Sequence, residues 1–364
     1  MAGPDRLNPE DNMKKKSLLV WLIPLILLLI LIPFIVPSAL PYAGAEAADL
    51  PVYAPVELAN PHPEPLLPLP SIRDPRPQTP YEPHADGYVF DEATGAAWEY
   101  RDGTIYVKIE TRTIDRTVVY FTWIQIADPS QMRTYYTRSE TVPENEASRK
   151  LKAVVALNGD WFVELKNGII IRNGEVVLSN KNFGDYDALI IDEMGDFHIL
   201  CRPAENAFEP FLDSIVQSFL FGPALVVDGE LQEIPENRQY AGGRIGLEKL
   251  TQRQAFCQMG KLSYLVLTTE GPDQSKGGGF TVAQLAQLAY DMGAVNAYNL
   301  DGGQSACVVM NNMRMNRFKK GGTRPVHDLI YFITAEPAPE ITPEPEPESA
   351  DGTVPETSAE TSAP

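Results

Sequence analysis

From Tyr100 to Thr334 apolar and polar residues alternate in short runs broken by turn-forming residues, the period-two signature of half-buried strands. Tyr100-Arg101-Asp102-Gly103-Thr104 predicts a hairpin turn leading into a strand over 105–109, because Asp-Gly accepts the backbone of a tight turn. The β-branched and aromatic run 117–126 predicts another strand, and so do 152–157, 168–171, 188–191, 197–200, 224–227, 262–268, 294–298 and 328–334. Helical periodicity is clear over 281–292, where Val282, Leu285, Leu288 and Ala289 share one face, Thr281 can cap the start and Gly293 can end it. A second short helix is expected over 211–219. Many strands and few helices predict an α+β fold, a single domain on a large mixed β-sheet. No period of 20–50 residues recurs, so a repeat architecture is not expected.

The pattern changes at both ends. Leu18–Val36 is 19 residues without a charged or polar side chain, interrupted only by Pro24 and Pro33. As a helix it spans roughly 28 Å, close to the hydrocarbon thickness of a bilayer. Lys14, Lys15 and Lys16 precede it, which favours a cytoplasmic N-terminus (1–16), a membrane anchor over 17–37 and an exported remainder. Ala43-Gly44-Ala45 offers the alternative of a cleaved signal and a secreted protein. Twelve of the 32 prolines fall in 41–83, so 38–85 is expected to form an extended stalk. The tail 336–364 carries eight acidic groups, seven prolines and no Lys or Arg, a composition that cannot bury a core.

Charge follows the same division. The net charge is −19, of which the tail holds −8 and residues 1–83 hold −3, leaving −8 on the 252 residues between. That balance argues against nucleic-acid binding, which needs a positive surface to follow phosphates. Three cysteines, Cys201, Cys257 and Cys307, cannot make a disulfide framework. One pair, such as Cys257 with Cys307, and three buried thiols acting as small apolar residues are both open. With four histidines and no CxxC or HExxH spacing, no metal site and no cofactor are expected.

Candidate chemistry concentrates in four places. Asn299-Leu300-Asp301-Gly302-Gly303-Gln304-Ser305 sets a carboxylate at a strand end before two glycines, whose N–H groups can face an anion, and adds neutral donors. Asn158-Gly159-Asp160-Trp161-Phe162 runs a strand into a polar corner with a carboxylate beside an aromatic ring. Gly222–Gly229 suits scaffold: a rigid turn, an apolar strand and a hairpin turn. Arg244, Arg253 and Arg324 stand near strand-like segments, and a guanidinium makes two parallel hydrogen bonds to a phosphate.

In this order the segments, with Arg253-Gln254-Ala255-Phe256, Gly279-Phe280-Thr281 and Gly322-Thr323-Arg324-Pro325-Val326-His327-Asp328, resemble the phosphodiester glycosidase family over roughly 100–335. Cys257 departs from that pattern, which tends to have glycine there, and the family often has a small residue at the position of Asp160. The resemblance implies a hydrolase domain over 86–335 acting on a carbohydrate phosphodiester or envelope glycopolymer. It implies Asp301 as the catalytic carboxylate, with Asp160 as the second candidate. Arg253 and Arg324 would hold the phosphate with the Gly302-Gly303 backbone, Asn158, Gln304 and Ser305 would bind the sugar, and Gly159 would belong to the substrate-binding set beside them. His327 could assist protonation. Two other functions fit the same residues, a stalk-borne glycopolymer-binding module and an exopolysaccharide glycosidase with no phosphate in its substrate.

Overall fold

The structure is a computed structural model, and it describes residues 80–139, 142–161, 166–234, 246–273, 278–317 and 324–337. The expected N-terminal segment and anchor, nearly all of the stalk and of the tail, Phe162, Arg244 and the stretch 318–323 lie outside the described residues. Among the described residues no helix is long and apolar enough to cross a membrane.

The strands are β1 (Tyr88–Phe90), β2 (Ala97–Arg101), β3 (Ile105–Ile114), β4 (Thr117–Ile126), β5 (Met132–Tyr136), β6 (Val155–Asn158), β7 (Gly168–Arg172), β8 (Glu175–Asn180), β9 (Asp187–Asp192) and β10 (Phe197–Leu200). They continue as β11 (Ile215–Phe221), β12 (Ala224–Val227), β13 (Glu230–Leu231), β14 (Gln254–Gly260), β15 (Ser263–Thr269), β16 (Asn296–Leu300), β17 (Val308–Met310), β18 (Met313–Arg314) and β19 (Asp328–Phe332). Two α-helices are described, α1 (Glu144–Lys150) and α2 (Val282–Asp291).

A nine-stranded sheet runs β1-β2-β3-β4-β15-β14-β16-β12-β13, and a five-stranded sheet runs β18-β17-β6-β19-β5. β10-β9-β11 and β7-β8 form smaller sheets. The expected mixed sheet is not found: every described pairing is antiparallel, and the strands divide among several sheets. Parallel neighbours need a crossover connection, usually helical, whereas most strands here are joined by hairpin turns. Among the described residues the fold is therefore mostly β, one sheet-rich domain with two helices: the single domain and the few helices are as expected, while several antiparallel sheets replace the one mixed sheet.

Local sequence explains most elements. β3 and β4 pair along their whole length, from Ile105↔Ile126 to Ile114↔Thr117. Asp115 and Arg116 between them both have positive φ, 46° and 64°, the conformation that matches a two-residue hairpin to the twist of its strands. α2 opens on a capping box: Thr281 accepts from the Gln284 N–H, and the Gln284 side chain accepts from the Thr281 N–H. Gly293 follows it at φ 80°.

The helix expected over 211–219 is instead a 3-10 turn, Glu209–Phe211, and then strand β11. The reason is a period-two pattern: Phe219 and Phe221 enter the main core while Leu220 enters a second apolar cluster on the other face. Helix α1 went unseen in the apolar pattern because it is short and polar. Glu144 and Glu146 in its first turn, with Arg149 and Lys150 in its last, suit the helix dipole.

The main core fills the space between the two larger sheets. Ile105, Phe121, Phe256, Leu265 and Leu300 of the nine-stranded sheet share it with Val155, Leu157, Val308, Ile330 and Phe332 of the five-stranded sheet. Ala156, Val309 and Tyr331 alternate to the opposite face. Residues just beyond the ends of β6 and β16, and just before β19, are thereby held on rigid supports. All three cysteines are free; Cys257 and Cys307 are buried but Cys201 is exposed, so neither a pair nor three buried thiols describes them.

Candidate active site

The two larger sheets meet at the end of β6. The Asn158 side chain donates through Nδ2 to the Asp301 carbonyl at 2.8 Å and accepts the Cys307 N–H on Oδ1 at 2.9 Å. The Asp301 N–H donates to the Gly159 carbonyl at 3.3 Å, and the Gly159 N–H to the Asp328 carbonyl at 3.4 Å. A β-carbon on Gly159 would lie 1.9 Å from Asp328 Oδ2, so only glycine fits between the Asp301 turn and the Asp328 carboxyl. Asn158 and Gly159 thus fasten the two sheets together where the candidate carboxylates emerge.

A cavity of about 220 Å³ opens there. Asn158, Gly159, Asp301, Ser305, Arg324 and His327 of the expected set line it, joined by Trp161, Pro325, Val326 and Asp328. Arg324 Nη2 donates to Asp301 Oδ2 at 2.5 Å, and its Nε donates to Ser305 Oγ at 3.0 Å. The guanidinium carbon stands 5.5 Å from the centroid of the Trp161 ring, within reach of a cation–π attraction. Trp161 holds this place with a left-handed backbone, φ 55°, a conformation that a bulky residue adopts at an energetic cost and that is frequent at functional sites. The Arg324 side chain remains 44% exposed and that of Asp301 15%.

Burial raises the Asp301 carboxyl above its ordinary range, and the Arg324 charge, the Ser305 hydroxyl and the Gly302 N–H partly offset this. His327 donates from Nδ1 to the Thr137 carbonyl at 3.2 Å, since a carbonyl only accepts.

A second aspartate–arginine pair lies beneath the cavity. Arg172 Nη2 donates to Asp160 Oδ1 at 2.7 Å and approaches Asp328 Oδ2 at 3.4 Å. Asp160 Oδ2 accepts the Leu220 N–H at 2.6 Å, and the Asp160 N–H donates to Asp328 Oδ2 at 3.0 Å. The side chains of Asp160 and Arg172 are 0% exposed.

Several expected residues therefore stand elsewhere. Asp160 is not brought to the cavity; its carboxylate is committed to Arg172 and to β11, which makes it a support. Arg253 is not brought there either: it is buried, with Nε donating to the Phe280 carbonyl and Nη2 to the carbonyls of Gly246 and Lys249. Burial pushes its guanidinium down to about 10. The Gly303 N–H is taken by the Gln252 carbonyl at 2.9 Å, so of the two glycines only Gly302 supports the aspartate. Gln304 follows the turn without lining the cavity.

Trp161 and Asp328 in the cavity wall, and Arg172 beneath it, are not among the residues expected at the site from the sequence. Trp161 and Asp328 stand inside motifs already singled out, whereas the one signal for Arg172 is a cation closing the apolar run Ile169-Ile170-Ile171. Away from the cavity, ligand atoms of His84, Asp102 and Glu336 lie within 4.8 Å of one another. Each already has a partner in the structure: His84 Nε2 meets the Glu336 carbonyl, Asp102 accepts from Tyr100 and Thr104, and Glu336 accepts the Gly103 N–H.

Residues 151–333 match the phosphodiester glycosidase family. No curated protein matches the sequence. Among solved structures, the chain is similar to the zebrafish N-acetylglucosamine-1-phosphodiester α-N-acetylglucosaminidase catalytic domain, auto-inhibited by its pro-peptide. Identity there is 17%, coverage 70% of this chain and 87% of that one, and the TM-score 0.52. A Synechocystis protein aligns at 14% identity over 64% of this chain and 62% of its own, with a TM-score of 0.42. The zebrafish likeness is one of fold, while the family match takes in half of the chain. The protein belongs to the phosphodiester glycosidase family, and it is a hydrolase of sugar phosphodiesters.

Proposed function

We propose that the protein cleaves the C1–O bond of a sugar-1-phosphodiester in an extracytoplasmic glycopolymer or glycan, with N-acetylglucosamine-1-phosphate linkages as the first candidates because the zebrafish relative is named for them. The observation that carries this reading is the pairing of Asp301 with the half-exposed Arg324 inside one cavity. A phosphodiester carries one negative charge, and a planar guanidinium within reach of solvent is a suitable partner for it.

The same pairing gives a sequence of events. The incoming phosphate competes with Asp301 for Arg324. When it wins, the Asp301 carboxyl loses the cation that offsets its burial, and its affinity for a proton rises. A more basic carboxylate is what attack at C1 requires, whether Asp301 takes a proton from water or bonds to C1 itself. The leaving group is a phosphomonoester, better than a sugar alkoxide. Trp161 offers an apolar ring face to the substrate, while Ser305 offers a neutral group for a sugar hydroxyl. Asn158 acts by holding the Asp301 turn, because its amide is already committed.

The proposed location outside the cytoplasm rests on the apolar run 18–36 after Lys14–Lys16 and on the proline-rich segment that follows. Such a chain would be anchored through 17–37, or secreted if cut after Ala45. The test is hydrolysis of a chromogenic N-acetylglucosamine-1-phosphodiester beside the plain N-acetylglucosaminide with the same chromophore. Turnover of the phosphodiester alone, lost in Asp301→Asn, is the expected result. Faster turnover of the plain glycoside, or binding of polymer without turnover, would overturn it.

A further inference from the structure

We propose that Asp328 is a second catalytic residue, the acid that hands a proton to the phosphate oxygen as it leaves C1. This rests on the sugar-phosphodiester reading above and assigns to Asp328 the protonating role first considered for His327.

Asp328 is the member of the buried cluster that reaches the cavity wall, with its side chain 5% exposed. Asp160, Arg172 and Asp328 bring two carboxyls and one guanidinium together out of water. Like charges at such range cannot both ionise beside a single cation, so the cluster retains a proton. The hydrogen bonds decide where it resides. Asp160 takes the closer Arg172 contact, 2.7 Å against 3.4 Å, and also the Leu220 N–H. It is the ionised partner. Asp328 Oδ2 accepts the Asp160 N–H and the longer Arg172 bond, which makes Oδ2 the carbonyl-like oxygen and leaves Oδ1 to carry the proton.

Burial first, and the Asp160 charge second, push the Asp328 carboxyl up to about 8, with Arg172 opposing them. An acid titrating near the working pH is suited to proton transfer. The other titratable groups around it are Cys307, Tyr136 opposite it in β5, His327 beside it in sequence, and Asp301 across Gly159. Gly159 separates the two aspartates: its carbonyl holds the Asp301 N–H, and its missing side chain makes room for the Asp328 carboxyl.

The step balances. The C1–O bond breaks and its electron pair goes to the phosphate oxygen, which takes the Asp328 proton. The oxygen of water ends on C1, its displaced proton ends on Asp301, and solvent then resets both carboxyls.

The experiment compares an alkyl N-acetylglucosamine-1-phosphodiester with N-acetylglucosaminyl fluoride of the same anomer, whose fluoride departs with little help from an acid. In the wild type, kcat/KM for the phosphodiester should fall above about pH 8, and that alkaline limb should be absent with the fluoride. Asp328→Asn should lose about 100-fold or more on the phosphodiester at neutral pH while staying within about 5-fold on the fluoride. Equal losses on both substrates with the alkaline limb retained would mark a structural role and overturn the proposal, as would undiminished phosphodiester turnover. Should Asp328→Asn fail to fold, the wild-type pair of profiles decides, because one limb shared by both substrates overturns it equally. Wild type that turns over neither substrate overturns the sugar-phosphodiester reading and this proposal together.

Discussion

Two aspartate–arginine pairs lie on either side of Gly159, and they differ in one respect. The Arg324–Asp301 contact is 2.5 Å and the Arg172–Asp160 contact 2.7 Å, but the first pair is 44% and 15% exposed while the second is 0% on both sides. An exposed ion pair contributes little to stability, because water and salt compete with it and two side chains must be held still. What it offers is exchange: a substrate phosphate can take the arginine. A buried pair has no such freedom. Its charges were removed from water at a large cost, and losing one partner strands the other. On the proposed function the two pairs divide the labour, one placed to meet the ligand and the other holding β6, β7, β11 and β19 where the cavity needs them.

The largest effect should come from breaking the buried pair. Arg172→Met leaves Asp160 without its cation, and the account predicts a loss of about 3–5 kcal/mol in folding stability, read by chemical denaturation. Asp301→Asn attacks the other side of the comparison. It should lower kcat/KM for a sugar phosphodiester by about 10³-fold and leave the denaturation midpoint nearly unchanged. Arg324→Ala should raise KM by about 10–100-fold, since a charge-assisted phosphate contact is lost. Its stability should stay within about 1 kcal/mol of wild type. If Arg324→Ala unfolds the protein, or Arg172→Met alters only KM, the division between the pairs is wrong.

A finer prediction concerns pH. The Asp301 carboxyl is raised by burial, and in the proposed mechanism its ionised form is the one that attacks or accepts a proton. Activity should therefore rise with pH through a midpoint above the ordinary aspartate range, and Arg324→Ala should move that midpoint higher still. The smallest expected effect is that of salt. Added NaCl screens Arg324 far more than Arg172, so it should raise KM several-fold between about 50 and 500 mM with little change in stability.

Much of this division was visible in the residues, and the limits were physical. Strands such as 117–126 and 197–200, and the helix with Thr281 as its cap, follow from local periodicity and match the structure. Asp301, Ser305 and Arg324 were recognisable because a short motif carries its own turn chemistry. β11 does not read as a strand because Phe219, Leu220 and Phe221 are apolar on both faces, so the alternation lies in where the side chains go and not in their polarity. Arg253 and Asp160 were expected at the substrate from their charge and from the motifs of the family resemblance, and neither tells a residue that faces a ligand from one that satisfies buried backbone. That distinction depends on contacts between residues far apart in the chain. Arg253 meets the Phe280 carbonyl, and Asp160 meets Arg172 and Leu220. The organisation of sheets was equally hidden, since nothing local tells β16 that Asn158 will anchor the turn after it.

In the proposed reaction the bond broken is C1–O, with Asp301 acting at the sugar carbon and Arg324 holding the phosphate. Hydrolysis of an N-acetylglucosamine-1-phosphodiester in ¹⁸O-labelled water, with mass analysis of both products, tests it directly. The account predicts that the label enters the hydroxyl at C1 of the sugar and that the released phosphomonoester stays unlabelled. Label in the phosphate would mean cleavage of the P–O bond and would contradict the role given to Asp301.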